Sequence, residues 1–223
     1  MSDEKQLTST RDGVGQGLLE AAADHPKVIG LCADLTESTR LQWFAQQYPE
    51  RFFQLGVAEQ NLAGVAAGLA LGGYMPVAAS YACFHPANSW GVIRTSICYS
   101  NLNVTLIGGH AGLVTGEDGA THQSLEDIAT MRVLPNMTVL VPGDAQQARQ
   151  AIRAAIEHTG PVYIRTSKAT ATELPRSEDA FTISKAHTIR DGTDLTMIGC
   201  GTILTRSLQA AVILEHYHGI STR

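Results

Sequence analysis

Short apolar runs alternate along the chain with longer stretches in which apolar residues recur at helical spacing. The pattern predicts a helix over residues 11–23, a strand over 27–33, a short helix over 39–47 and a strand over 52–55. An alanine-rich helix follows to Leu71, then a strand over 74–80, a helix over 88–99 and a strand over 103–108. Past a long loop at 109–123, the pattern predicts a helix over 125–132, a strand over 138–141, a helix over 145–158 and a strand over 162–165. Strands alternating with helices read as βαβ units, hence an α/β fold on a mostly parallel sheet. Pro161 stands at the start of the last strand, where a proline is tolerated.

Residues 168–179 are polar, hold Pro175 and read as a linker. The pattern then restarts with a strand over 194–199, a glycine turn and a helix over 202–216. That helix has a one-sided stripe of Ile203, Leu204, Leu208, Ala211, Val212 and Leu214. One strand and one helix cannot bury a core alone. The expected organisation is therefore a domain over 1–178 and a linker with the start of a second α/β domain over 179–223.

Composition narrows the classes of function. Of 223 residues, 44% are hydrophobic and 17% charged, and the net charge is -5. That is enough to bury a full core, and no basic run offers a nucleic-acid footprint. No apolar stretch is long enough to span a bilayer. The first residues lack the order of a signal peptide. Cys32, Cys83, Cys98 and Cys200 are scattered without metal-ligand spacing, which fits reduced thiols in the cytoplasm.

The candidate chemistry gathers where strands end. In Gly56-Val57-Ala58-Glu59-Gln60, Glu59 follows a strand and a glycine turn and opens the alanine-rich helix. That places a carboxylate at the carboxyl end of a sheet strand, where open α/β sheets bind ligands. Burial among apolar groups disfavours the charged form, so such an acid is suited to sharing a proton. The loop 109–123 gathers four glycines, His110, His122, Glu117 and Asp118. It reads either as a functional loop or as a polar surface loop. Asp34 and Ser38 fall at the same rim, with Thr36 or Ser38 alternatively a helix N-cap. Arg165 ends a strand, as a forked anion donor or a solvated residue. Gly13-Val14-Gly15-Gln16-Gly17 follows no strand and is a weak nucleotide loop.

Three motifs in order, Ala33-Asp34-Leu35-Thr36, Gly56-Val57-Ala58-Glu59-Gln60 and Gly116-Glu117-Asp118-Gly119-Ala120-Thr121-His122-Gln123, resemble the transketolase family, specifically its pyrimidine-binding domain. Pro135-Asn136-Met137 and Val141-Pro142-Gly143-Asp144 also fit. The resemblance covers roughly Ser9 to Arg165. It implies a three-layer sandwich and thiamine diphosphate chemistry. In the family, the glutamate matching Glu59 bonds N1′ of the aminopyrimidine ring and favours the imino form that removes the C2 proton. Tyr81 and Phe84 match the ring pocket, and Asp34 joins the cofactor set. Ala87 stands where many relatives have a third aromatic, with Trp90 close enough in sequence to substitute. Asp118 and His122 resemble residues that read the donor sugar's hydroxyls. His110, Arg165, Ser38 and Arg11 resemble the set receiving the substrate phosphate, and His110 and His122 count with Glu59 as catalytic.

The Gly-Asp-Gly signature with which the family grips magnesium and the diphosphate does not occur here. The resemblance thus implies the second polypeptide of a split transketolase, moving a two-carbon ketol unit between sugar phosphates. A diphosphate-binding partner would hold Mg2+, with two copies of each chain. The alternatives are a condensation like that of 1-deoxyxylulose-5-phosphate synthase, or a non-catalytic assembly subunit. His110 favours the transketolase reading, because that synthase usually has an arginine there.

Overall fold

The computed structural model describes residues 8–175 and 181–223. The elements are β1 (Thr8–Ser9), α1 (Thr10–Asp24), β2 (Val28–Cys32), α2 (Gln42–Gln47), β3 (Phe52–Gln54), α3 (Glu59–Leu71) and β4 (Met75–Tyr81). Then come α4 (Trp90–Val92), which continues as a π-helical stretch over Ile93–Cys98, β5 (Thr105–Gly109), α5 (Asp127–Arg132), β6 (Thr138–Leu140), α6 (Ala145–Glu157), β7 (Val162–Arg165), β8 (Thr170–Ala171) and α7 (Ile203–His218).

Six strands form one sheet in the order β3-β2-β4-β5-β7-β6, every pair parallel. Alternate residues of the strands feed two apolar layers, as the pleat requires. Cys32, Val77, Ala79 and Ile164 pack under α1, α2 and α6 through Val14, Leu18, Phe44 and Ile152. Leu31, Ala78 and Leu106 pack over α3 and the π-helical stretch through Leu62, Ala63, Ala66 and Ile97. The expected α/β three-layer architecture is thus the observed one, and a sheet covered on both faces can be wholly parallel.

Helix α1 starts on a capping box, in which Ser9 and Asp12 satisfy each other's backbone N–H groups. Its glycines are helix-packing positions, not a nucleotide loop. A Cβ on Gly13 would stand 1.9 Å from the Ala145 carbonyl oxygen, and one on Gly17 would stand 2.5 Å from that of Arg149. Gly13 and Gly17 are one turn apart on one face, so α1 and α6 approach backbone to backbone. Asp144 caps α6 by accepting from Gln147 N, and its other oxygen accepts from Leu174 N.

Two features depart from expectation. The two-residue pair β1–β8 places Thr8 opposite Ala171 and lies inside the stretch read as the start of a linker. No strand forms over 194–199; Leu195 makes only an isolated bridge with Thr222. A strand needs a neighbour along its length, and here only the three residues 221–223 lie alongside. Helix α7 forms as expected and ends on Gly219 in the left-handed region (φ 64), but of its stripe only Ala211 is buried. The boundary expected at 178–179 lies outside the described residues. Among those described, no helix is long and apolar enough to cross a membrane, and all four cysteines are free.

Candidate functional site

Four strand ends meet at the carboxyl rim of the sheet. After β3, Gly56 turns the chain at φ 71, and Glu59 becomes the first residue of α3. Glu59 is only 6% exposed, and its Oε1 accepts a hydrogen bond from Ser80 Oγ at 3.2 Å. Next to Ser80, Tyr81 ends β4. A tight turn follows, with the His85 N–H on the Tyr81 carbonyl at 2.7 Å, which brings Phe84 back over Tyr81. The two rings lie nearly parallel, 6.3 Å apart.

Both loop histidines join these rings. His110 stacks on Tyr81 at 4.0 Å. His122 meets Tyr81 and Phe84 edge-on at 6.1 and 5.2 Å. Thus Tyr81, Phe84, His110 and His122 form one aromatic group beside Glu59's serine partner. The loop 109–123 gets there through left-handed Gly112, Gly116 and Gly119 and two short 3₁₀ turns. Thr115 pins it by donating to the His110 carbonyl. It is therefore a built part of the rim rather than a loose surface loop.

His110 sits in the left-handed region (φ 55), an uncommon conformation for a residue other than glycine. Burial, then the nearby Arg11 charge, pushes its proton affinity down to about 4, so it is a neutral imidazole at neutral pH. Arg11 Nη1 lies 3.5 Å from His110 Nε2 and donates to the Ser38 carbonyl at 3.2 Å. An arginine can only donate, so Nε2 is the acceptor and Nδ1 carries the ring proton. Among the described residues Nδ1 is buried with no hydrogen-bond partner, and so is Arg11 Nε. Arg11, Ser38 and His110 therefore meet as expected, although Ser38 contributes its carbonyl to Arg11. Cys83, between Tyr81 and Phe84, has its thiol pushed up to about 11 by burial, which keeps it protonated.

Other expected residues stand differently. Asp34 is exposed at the end of β2, at φ 58, and its N–H donates to Gln54 Oε1 at 2.6 Å. Neither Thr36 nor Ser38 caps α2, whose N-cap is Leu41. Arg165 Nε donates to Asp127 Oδ2 at 2.9 Å, an oxygen that also accepts from Tyr163 at 2.8 Å. Asp127 is fully buried, and a buried carboxylate needs a cationic partner. Trp90 makes no ring contact with Tyr81 or Phe84 among the described residues; its Nε1 donates to the Thr130 carbonyl at 2.9 Å, on α5. It therefore does not replace the third aromatic. Ala87 and Trp90 instead line a recess of about 220 Å³ with Ser124 and Asp127.

Sequence reasoning missed one cation. Lys168 Nζ lies 3.7 Å from Asp118 Oδ2, so a lysine faces the acid of the loop motif. Lys168 follows a strand end by three residues, and position alone did not separate it from the linker. Among the described residues no group of three or more His, Cys, Asp or Glu could hold a metal ion. A cavity of about 590 Å³ lies between β6, α6 and residues of the stretch 181–223, and shares no lining residue with the Glu59–Tyr81–His110 group.

A family model described as transketolase, pyrimidine binding domain, matches residues 6–173. A solved chain described as "Split gene transketolase, inactive beta4 tetramer" superposes with a TM-score of 0.87 at 43% identity, over 96% of this chain and 69% of that one. An apulose-4-phosphate transketolase polypeptide of Phocaeicola vulgatus is 36% identical over 97% of this chain and 70% of its own length. The 1-deoxy-D-xylulose-5-phosphate synthase of Carboxydothermus hydrogenoformans is 38% identical over 98% of this chain, which spans only 35% of the synthase.

Proposed function

The chain belongs to the transketolase family, and from that premise we propose that it is the pyrimidine-binding subunit of a split transketolase. In this reading it moves a two-carbon ketol unit from a ketose phosphate to an aldose phosphate. It acts only with a diphosphate-binding subunit, two copies of each. The observation that carries the reading is Glu59: a buried carboxylate at the rim, serine-bonded and next to a pair of aromatic faces.

The family depends on thiamine diphosphate, and the rim fits one end of that cofactor. The carboxylate suits a ring nitrogen, and Tyr81 and Phe84 offer faces to a flat ring. The diphosphate end finds no Gly-Asp-Gly here, so we assign it, with Mg2+, to the partner. When bound, the cofactor supplies the nucleophilic carbon that attacks a ketose. Glu59 then holds or shares a proton at the ring nitrogen. Asp118 and His122 read sugar hydroxyls. Arg11, Lys168 and neutral His110 receive the anionic end, His110 donating from Nδ1 without adding charge. Asp34, on the neighbouring strand end, closes the cofactor side. Free thiols support a reducing compartment such as the cytoplasm.

The relative described as an inactive β4 tetramer supports the need for a partner. The test mixes the chain with a diphosphate-binding transketolase subunit, thiamine diphosphate and Mg2+, and follows transfer from xylulose 5-phosphate. Glu59→Ala should lower kcat/KM by roughly 10²–10⁴-fold while the thermal midpoint falls by only a few degrees, the variant staying folded. Full activity of the variant, or an inert wild-type mixture, would overturn the reading. The synthase likeness gives a second reading: consumption of pyruvate instead of xylulose 5-phosphate would favour it.

A further inference from the structure

We infer that Ser80 is a positioning residue for Glu59, sorting its two carboxylate oxygens so that the exchanging proton is carried on Oε2. The inference rests on the functional reading above and adds a residue to it.

The hydroxyl is out of place by packing alone. Ser80 is fully buried and follows Ala78 and Ala79. Ala78, two residues earlier on the same face of β4, packs in one layer with Leu62, Ala63 and Ala66 of α3. An alanine at 80 would continue that layer. Instead a hydroxyl faces the first residue of α3. Among the described residues it is the one side chain hydrogen-bonded to Glu59.

Its position is fixed from behind. Strand β4 lies between β2 and β5, with Ala79 paired to Cys32 and Ser80 to Gly108. The backbone that carries the hydroxyl is therefore held on both sides. A serine hydroxyl has one proton to give, and here Glu59 Oε1 takes it. An oxygen already accepting a hydrogen bond is the poorer place for a second proton. A proton carried by Glu59 therefore sits on Oε2, the oxygen left for the ring nitrogen. The same bond limits rotation of the carboxylate, so the acid does not have to be oriented at each turnover.

The test compares Ser80→Ala, Ser80→Thr, Glu59→Ala and the Ser80→Ala/Glu59→Ala double variant. In the mixture with the diphosphate-binding subunit, Ser80→Ala should lower kcat roughly 10-fold with the KM for the ketose unchanged. Ser80→Thr, which keeps the hydroxyl, should restore most of it. With Glu59 already replaced, Ser80→Ala should cost nothing more. A second readout uses the chain alone without cofactor. Ser80→Ala should lower Tm by about 2–4 °C when Glu59 is present and not when Glu59 is alanine. Additive effects in the free chain, or a threonine that fails to rescue, would overturn the Ser80 assignment. An inert wild-type mixture would instead sink the functional reading and the catalytic half of the role, while the Tm cycle still judges the Ser80–Glu59 bond.

Discussion

Arg165 shows how far a residue can be read from its place in the sequence. An arginine at a strand end suggests an anion reader or a solvated residue, and the structure ties its Nε to Asp127, 38 residues away. Arg165→Leu should therefore act mainly on stability. It leaves a fully buried carboxylate without its cation and should lower unfolding free energy by about 3–5 kcal/mol, read from urea denaturation. Protons are the other lever at this scale. His85 is completely buried, and burial pushes its proton affinity down to about 4, as burial and Arg11 do for His110. Once unfolded, both protonate near the ordinary 6.5, so between these values the unfolded chain binds more protons. Their contribution to stability is complete above about pH 6.5, shrinks as pH falls towards 4 and is lost below that. Urea midpoints at pH 7 and pH 5 should show this loss, and His85→Gln should remove about half of it. Glu59, Tyr81, Phe84, His110 and His122 were legible because each follows a strand or sits in a short motif. The Lys168–Asp118 pair and the Asp127 anchor were not, because both depend on how a glycine loop folds back.

Helices and strands were legible wherever periodicity is a consequence of burial. Alternation under the two apolar layers and the alanine spacing of α3 both report which face meets the sheet. The pair β1–β8 escaped because two residues make no period, and the strand at 194–199 failed because periodicity cannot say whether a neighbour is present. Glycines were legible as places but not as roles. Gly13 in α1 meets the Ala145 carbonyl, whereas Gly64 in α3 has nothing within 4 Å of a built Cβ. Gly13→Ala should thus destabilise by about 1–3 kcal/mol through overpacking, despite its better helix propensity. Gly64→Ala should stabilise the free chain by about 0.5–1 kcal/mol. Chemical denaturation of the two variants side by side gives opposite signs if helix contact, not propensity, governs α1.

At the scale of the whole molecule, order is unevenly shared. The parallel sheet is covered on both faces, while the C-terminal unit leaves Ile198 94% exposed and Ile203, Val212, Ile213 and Tyr217 open to solvent. Backbone amides of β4, β5 and β7 are laddered on both sides; those of 194–199 have, among the described residues, only the bonds of the short bridge, from Asp194, Leu195 and Met197 to the carbonyls of Ser221 and Arg223. Hydrogen exchange followed by mass spectrometry should therefore show 194–199 exchanging orders of magnitude faster than the central strands. Equal protection would mean that this segment is held by contacts beyond that bridge. The small pair β1–β8 has a consequence on the same scale. With Thr8 opposite Ala171 and Thr10 Oγ1 accepting from Ser167 N at 2.8 Å, the two ends of the unit touch. Such a unit is topologically closed on itself and suited to circular permutation: a short joint across these ends and an opening at the exposed Gly72–Gly73 turn would keep every pairing of the six-stranded sheet. Its two connections to the rest of a polypeptide therefore lie side by side. Fusion and fission of genes can then pass through that place without disturbing the sheet, and the whole chain matches 70% of one relative's length and 35% of another's.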